Sequence, residues 1–313
     1  MEIQTLSVVI GSRACDARCP FCVSKMTGFD ELKTGRREIN EGNFRKACEF
    51  AHIGGTTTVL FTGKGEPTLY PEEISRYLEL LQNQKFPFIE LQTNGLSIGR
   101  LIRDGKSNVK GMDLMRLEDW HRAGLNTIAI STVGIRPLLN REIYADDYPV
   151  LEETIAGVHR SGFTVRLGVM MVKGGVDVPA EVDTVIKFAQ RNNVEQLTFR
   201  PIRKPEHTHS DATSAFVTER GINKEQERVV REWVAANGTK IMSLMHDATV
   251  YDVDGQNVCM TDALTCRPEG KDIRTLIFYS NGRLAYSWDQ PGAVILGGWT
   301  GAREEMAAIT AIR

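Results

Sequence analysis

The sequence predicts an α/β fold, namely a partial (β/α)6 barrel of the TIM type followed by a C-terminal extension with a β-hairpin. Two observations support this prediction: short β-rich runs alternate with stretches of helical periodicity, and this alternation stops near Met245. Alternating strands and helices favour a parallel sheet with right-handed crossovers. Six units leave the barrel open, because the closed form has eight. We therefore expect a barrel over residues 1–244 and an extension over residues 245–313 that covers the barrel mouth.

Six apolar runs are the predicted strands, at residues 6–10, 58–61, 88–91, 127–130, 165–172 and 196–199. Apolar residues spaced i, i+3, i+4 and i+7 predict a helix after each strand. The six helical stripes begin at Phe44, Ile74, Leu114, Leu151, Val182 and Val229. Residues 203–221 lack periodicity and are predicted to form a long loop, a candidate substrate lid. Asn281-Gly282, between residues 274–279 and 283–288, predicts a hairpin.

Composition and charge narrow the class of protein. The chain has 313 residues, of which 42% are hydrophobic and 25% charged, as in an ordinary globular protein. A net charge of −2 gives no strong nucleic-acid signal. We expect a cytoplasmic protein without a membrane partner, because no run approaches 18 apolar residues and no signal peptide is visible. Six cysteines, three of them clustered, fit a reducing compartment better than a disulfide framework.

The clustered cysteines, Cys15, Cys19 and Cys22, form a CxxxCxxC run after the first predicted strand. Three thiolates on one loop can hold three irons of a cubane and leave the fourth iron open, because iron–sulfur clusters are normally held by four cysteines. A structural zinc site is the alternative, although such sites usually fill four positions with a second ligand pair. The nearest other cysteine, Cys48, lies on an apolar helix stripe, where a free thiol packs as a small hydrophobe.

This run, with Phe21 directly before its last cysteine, resembles the radical S-adenosylmethionine (SAM) superfamily. The resemblance implies that the three cysteines bind a [4Fe–4S] cluster whose open iron chelates SAM, with Phe21 at the cofactor. It implies that an electron from the cluster cleaves SAM to a 5′-deoxyadenosyl radical. It also implies an electron donor such as flavodoxin or ferredoxin, and the same partial barrel.

A glycine-containing turn after the second strand resembles a second hallmark of the superfamily, the Gly-Gly-Glu-Pro turn that receives the amino group of SAM. The matching residues are Gly63, Lys64, Gly65 and Glu66. The sequence departs from the usual pattern at Lys64, which separates the two glycines. Glycine lets backbone groups approach a ligand closely, because no side chain intervenes. By itself such a turn would also be an ordinary loop.

Further strand ends carry polar residues, and in parallel α/β sheets the chemistry lies at these carboxyl ends. By the same resemblance, Thr93 and Asn94 lie near SAM or substrate, Ser131 contacts SAM, and Arg200 contacts the adenine edge. The residues also allow simpler roles. Asn-Gly and a hydroxyl at a strand end are common turn formers, and Arg200 could pair with an acid on a neighbouring loop.

The fifth strand resembles that of the molybdenum-cofactor GTP cyclase, the type of member nearest in pattern. Arg166 and Gly168 stand where that strand carries a lysine and an asparagine, so the same substrate is not implied. We predict hydrogen abstraction from a small anionic or nucleotide-like substrate, with Arg13, Arg166 and Arg200 as anion contacts. Modification of a peptide or protein side chain is the alternative. An iron–sulfur electron carrier or a zinc-stabilised binding protein is the non-enzyme alternative.

The extension contains two further cysteines, Cys259 and Cys266. Many members of the superfamily hold an auxiliary cluster in such an extension. Two cysteines cannot fill a cluster site without other ligands, so the sequence leaves an auxiliary cluster open without favouring it.

Overall fold

The computed structural model describes residues 1–27, 38–205, 208–244, 247–261, 272–288 and 290–298. The strands in these residues are β1 (Ile3–Val9), β2 (Thr58–Thr62), β3 (Phe88–Thr93), β4 (Thr127–Thr132), β5 (Thr164–Met171), β6 (Gln196–Pro201), β7 (Thr239–Ser243), β8 (Thr249–Val253), β9 (Gln256–Met260), β10 (Ile273–Tyr279), β11 (Leu284–Ala285) and β12 (Val294–Leu296). The helices are α1 (Val23–Met26), α2 (Glu41–Ile53), α3 (Pro71–Leu81), α4 (Leu96–Asp104), α5 (Leu114–Arg122), α6 (Pro137–Ile143), α7 (Leu151–Arg160), α8 (Pro179–Arg191), α9 (Asp211–Arg220) and α10 (Lys224–Asn237).

All strands belong to one sheet, in the order β12-β11-β10-β1-β2-β3-β4-β5-β6-β9-β8-β7. Strands β1 to β6 lie side by side in chain order and are parallel, which confirms the predicted alternating units. The barrel is partial as predicted, because β1 and β6 are not paired with each other.

The two faces of the sheet differ in burial, as β5 shows. Val165, Leu167, Val169 and Met171 are buried in the core beneath the helices. The intervening residues, including Arg166, are only partly buried and lie on the opposite, concave face. Because successive side chains of a strand point to opposite faces, one strand supplies both the apolar core and part of the concave surface.

The six predicted helical stripes are confirmed as α2, α3, α5, α7, α8 and α10. In α2 the stripe residues Phe44, Ala47, Cys48 and Ala51 are buried. Asn40 begins this helix as its N-cap, since its side chain accepts a hydrogen bond from the Asn43 backbone at 3.0 Å. In the described part of the chain, no helix combines the length and apolarity that a membrane crossing requires.

The predicted loop over residues 203–221 is wrong in its C-terminal half, which forms α9. Only Thr213 and Val217 are buried in this helix, so it has too short an apolar stripe to be detected by periodicity. The local signal was Ser210, whose side chain caps the helix by accepting from the Thr213 backbone at 3.4 Å. The short helices α4 and α6 were missed as well.

The hairpin predicted from Asn281-Gly282 is confirmed: β10 and β11 are antiparallel, with Phe278 opposite Leu284. On its other side β10 pairs in parallel with β1, so the extension contributes a strand beside the barrel.

A second hairpin, between β8 and β9, was not predicted from the sequence. Its turn contains Asp254 and Gly255, both at positive φ (51° and 82°), which is typical of tight hairpin turns.

The sheet curls strongly about its concave face. Arg274 on β10 donates a hydrogen bond to Thr261, directly after β9, at 3.3 Å. Six strands separate β10 from β9 in the sheet order. A contact between them therefore requires the two ends of the barrel to approach each other. The concave face is consequently a cleft rather than a flat surface.

The position of β10 predicts that the extension stabilises the barrel. Phe278 is fully buried, with its ring 5.1 Å from that of Phe44 and 6.3 Å from that of Tyr77. We expect Phe278→Ala to lower the free energy of unfolding by about 3–5 kcal/mol, because it leaves a cavity. The matched control is Phe88→Ala, at a site that is 58% exposed, where we expect a change of about 0.5 kcal/mol. Urea denaturation measures both, and equal losses would contradict the packing of β10.

Candidate cluster and cofactor site

The cysteine loop follows β1 and carries three free thiols, with Cys15 exposed and Cys19 and Cys22 partly buried. Cys15 is exposed as a residue, but desolvation of its thiol by the surrounding loop raises the pKa of Cys15 to about 11. Burial, together with the neighbouring Cys22 and Cys15, raises the pKa of Cys19 to about 12. These two thiols are therefore neutral at physiological pH without a metal. A bound metal reverses this, since a coordinating thiol is deprotonated.

The three thiols of the loop suit an iron–sulfur cluster. In a cubane each thiolate binds a different iron, so three thiols on one loop match a cluster with one open iron. Among the described residues, no three His, Cys, Asp or Glu side chains are grouped closely enough to hold one metal ion.

Asp16 anchors the cysteine loop to the next elements. One of its carboxylate oxygens accepts from Asn94 Nδ2 at 2.8 Å, and the other accepts from Arg100 at 3.0 Å. Arg100, on α4, also binds Asp147 at 2.7 and 3.0 Å. Sequence reasoning missed Asp16, Arg100 and Asp147. The available signal was an acidic residue inside the cysteine run.

The glycine turn after β2 packs directly on the cysteine loop. A Cβ atom on Gly65 would lie 2.0 Å from the backbone oxygen of Ala14. The Glu66 backbone donates to that same oxygen at 2.9 Å. A Cβ on Gly63 would lie 3.0 Å from the Gly65 oxygen. Gly65 is therefore required for backbone packing, whereas a side chain at Gly63 would be tight. The contact of both glycines with SAM stays a prediction.

Glu66 is buried, and its carboxylate accepts four hydrogen bonds. The donors are the Thr93 hydroxyl at 2.6 Å, the Asn94 backbone at 2.9 Å, the Thr68 hydroxyl at 2.7 Å and the Thr68 backbone at 3.0 Å. Burial raises the pKa of Glu66, and all four bonds oppose that rise because they favour the charged form. The structure thus brings together Glu66, Thr93 and Asn94 from two different strand ends.

Lys64 is also buried and points away from solvent. Its Nζ donates to the Thr27 hydroxyl at 2.8 Å and lies 5.4 Å from the ring centroid of Trp288, a cation–π distance. The departure from the usual glycine pair therefore has a structural consequence. Lys64 connects the turn after β2 to the segment that follows the cysteines and to the segment that follows β11.

The remaining predicted contacts lie around this centre. Ser131 is partly buried at the end of β4, and its backbone oxygen accepts from the Tyr148 hydroxyl at 2.9 Å. No described residue hydrogen-bonds the Ser131 hydroxyl. The Phe21 ring packs 6.4 Å from that of Tyr144 and 6.3 Å from that of Phe216. Arg13 is exposed on the cysteine loop.

Arginines dominate the other side of the concave face. Arg166 on β5 donates to Glu90 on β3 and, at 3.3 Å, to the Thr198 hydroxyl on β6. Burial lowers the pKa of Arg200 to about 10, and the positive charges of Arg274 and Arg166 lower it further in the same direction. Sequence reasoning missed Arg274, because only the curl of the sheet brings β10 to this side.

Three free thiols at one strand end, a glycine turn at the next, and a partial parallel barrel define the radical SAM class of enzyme. Comparison with known families agrees. The model of the family described as the radical SAM superfamily matches residues 9–189, more than half of the chain. The chain belongs to this superfamily, whose members use a [4Fe–4S] cluster and SAM.

The comparisons with individual proteins are more distant. The chain is 24% identical over 209 residues to a probable dual-specificity RNA methyltransferase RlmN of Chlorobaculum tepidum, which covers 60% of this chain and 52% of that protein. It therefore spans about half the length of this curated relative. Its fold resembles that of Streptococcus suis SuiB bound to SAM, with a TM-score of 0.57, 14% identity and coverage of 99% of this chain and 65% of SuiB. It also resembles native anSMEcpe with bound AdoMet, with a TM-score of 0.53, 13% identity and coverage of 92% and 75%.

The four bonds to Glu66 predict a large effect of Glu66→Gln. The amide has one acceptor oxygen and directs an NH2 group at donors, so buried groups lose their partners. We expect the free energy of unfolding to fall by about 2–3 kcal/mol. The control is Glu118→Gln on α5, an exposed position, where we expect no measurable change. Denaturation midpoints test this, and equal stability of the two variants would show that the carboxylate does not hold the turns.

Proposed function

We propose that this enzyme cleaves SAM reductively and abstracts a hydrogen atom from a substrate held in the cleft at the carboxyl ends of β1 to β6. The observation that carries the proposal is the cysteine loop seated against the bonded array of Glu66, Thr93 and Asn94. When bound, the cluster supplies one electron that splits SAM into methionine and a 5′-deoxyadenosyl radical, which takes a hydrogen atom from the substrate to give 5′-deoxyadenosine. A one-electron donor of the flavodoxin or ferredoxin type restores the electron.

Each part of the site has a proposed role. The three cysteine thiolates hold the cluster. Asn94 Nδ2 lies 3.7 Å from Cys15 Sγ, close enough for an amide hydrogen bond to the sulfur, and such bonds tune cluster potentials. The turn from Gly63 to Glu66 and the Ser131 hydroxyl contact SAM, with Phe21 beside the cofactor. The protein thereby orients the cofactor and excludes water, while the cofactor carries the difficult chemistry.

We propose a small anionic or nucleotide-like substrate, because the concave face presents arginines from several strands. Two other substrate classes come from the comparisons. The curated relative is named as an RNA methyltransferase, and SuiB has been solved with a precursor peptide, SuiA. Peptide modification therefore stays the alternative drawn from the sequence. Mass analysis of the product distinguishes these classes.

We also propose that residues 245–313 act as a cover for the barrel formed by residues 1–244. One contact supports this: Trp288 of the extension lies over Lys64, directly after β2. A cover at this place would shield a radical from solvent.

Anaerobic reconstitution tests the proposed function directly. We expect the wild type to bind one four-iron cluster and, with dithionite and SAM, to release 5′-deoxyadenosine. Cys19→Ala should lose both the cluster and the cleavage, because the loop then has two thiolates. The matched control is Cys48→Ala, a free cysteine buried on α2, which should keep both. Iron and sulfide analysis and chromatography of the nucleoside measure the outcome.

Two results would overturn this proposal. One is a wild type with a complete cluster that never cleaves SAM with any reductant. The other is one tetrahedral zinc ion in place of iron, which X-ray absorption would identify.

The number of clusters gives a separate prediction. Cys259 is partly buried on β9, whereas Cys266 lies outside the described residues. Burial raises the pKa of Cys259, and the nearby arginines oppose the rise. We expect the double variant Cys259→Ala and Cys266→Ala to keep the iron content of the wild type, because two cysteines alone cannot fill a cluster site. Loss of about half the iron would instead establish an auxiliary cluster.

A further inference from the structure

Three arginines from separate strands meet on the concave face. They are Arg166 on β5, Arg200 on β6 and Arg274 on β10. Arg166 donates to the Thr198 hydroxyl on β6, two residues before Arg200. Arg274 donates to Thr261, whose backbone donates to the Phe199 oxygen on the same strand. Both guanidinium groups therefore reach the strand that carries Arg200. Like charges repel, and burial weakens the screening by water. Such a cluster is expected only where negative charge accompanies it.

Among the described residues, Glu90 is the carboxylate that acts on Arg200, and it is already engaged. Its carboxylate accepts from Arg166 and, at 3.0 Å, from the Gln92 side chain. Cys259 is the register partner of Thr198 in the adjacent strand, but burial raises the pKa of its thiol, so it brings no full negative charge. The positive charge of Arg231, which opposes the rise in the pKa of Cys259, is paired with Glu227.

Arg200 shows where an acceptor is missing. Its Nε is buried and has no hydrogen-bond partner, and no described residue pairs with its guanidinium. The Nε of Arg166 is likewise buried without a partner, although its terminal nitrogens bind Glu90 and Thr198. Buried donors are normally satisfied, so unsatisfied ones in a cleft indicate a ligand.

We propose that an anionic group of the substrate, a phosphate or a carboxylate, binds between Arg200 and Arg166. The inference rests on the proposed function, because it supplies the anchor for the small anionic substrate. A guanidinium presents its donors as a planar fork that matches both kinds of oxyanion. The anchor lies on β5 and β6, whereas the proposed SAM contacts lie mainly on the cysteine loop and after β2, β3 and β4.

Anion titration of the reconstituted wild type tests this anchor. Thermal midpoints are measured against inorganic phosphate, and separately against acetate, with chloride at matched ionic strength as the blank. We expect phosphate, acetate or both to raise the midpoint above the chloride blank, and the two series to identify the preferred oxyanion. Arg200→Gln should weaken that binding about tenfold or more, because a buried charged partner is lost. Arg122→Gln, an exposed arginine paired with Asp119 on α5, is the charge-matched control and should bind as the wild type does.

The thermal midpoint of Arg200→Gln without added phosphate or acetate is an independent test, because the direction of its change distinguishes an anion anchor from a structural arginine. If Arg200 is an anchor lacking its anion, removing its charge should leave the midpoint in chloride unchanged or raised. A structural arginine would instead give a lowered midpoint. Should Arg200→Gln fail to fold, Arg200→Lys keeps the charge but loses the fork, and it should still weaken anion binding relative to the wild type.

Three results would overturn the anchor. They are equal anion responses in the wild type and in the Arg200 variants, no anion response in the wild type, and loss of the phosphate response in saturating SAM. The last would assign Arg200 to the SAM site. None of these results depends on SAM cleavage. The anchor can therefore be excluded while 5′-deoxyadenosine still forms, and anion binding at Arg200 can be observed in a protein that does not cleave SAM.

Discussion

The buried carboxylate of Glu66 is the interaction on which the rest of the site depends. It joins the turn after β2 to the turn after β3 through donors on Thr68, Thr93 and Asn94. Burying a charge is costly unless every donor is in place, so the array forms as a unit. Asn94 extends it to the cysteine loop, because its amide also contacts Asp16 and Cys15. The position of the cysteine loop is therefore set by two neighbouring strand ends.

Backbone packing reinforces this polar array. Gly65 leaves no room for a side chain against Ala14. In the same way, a Cβ atom on Gly11 would lie 2.1 Å from the nearest ring atom of Tyr70. The Tyr70 hydroxyl also meets Ser12 at 2.5 Å. The cysteine loop is thus seated on the β2 turn by sterics as well as by hydrogen bonds. Such preorganisation favours cluster binding, because less chain entropy remains to be lost when the metal binds.

Local patterns in the sequence predicted most of the barrel, and its motifs named residues that the structure brings together, such as Glu66 with Thr93 and Asn94. Non-local contacts explain the elements and residue pairs that the sequence did not predict. Strand alternation and helical periodicity depend on neighbouring residues, so β1 to β6 and the helices with long apolar stripes were predictable. The helix α9 buries too few residues to show a stripe. The pairs Arg100 with Asp16, Lys64 with Trp288 and Arg274 with Thr261 join residues 84, 224 and 13 positions apart. Strand order and sheet curl create these contacts, and no local spacing encodes them.

The concave face has carboxyl groups on one side and an arginine without a described acceptor on the other. This arrangement sets how far the reactive hydrogen of the proposed substrate must lie from its anionic group. On the side of β2 and β3, the buried carboxyl groups of Glu66 and Glu90 are bonded to protein donors. On the side of β5 and β6, the positive charge of Arg200 has no acceptor among the residues that the structure describes. Adjacent strands lie about 4.8 Å apart, so β3 and β6 are separated by an arc of about 14 Å, shortened by the curl. In the proposed arrangement, a substrate anchored at Arg200 must therefore carry its reactive hydrogen several bonds away from its anionic group. A molecule with its only hydrogens next to the anion would not reach the radical.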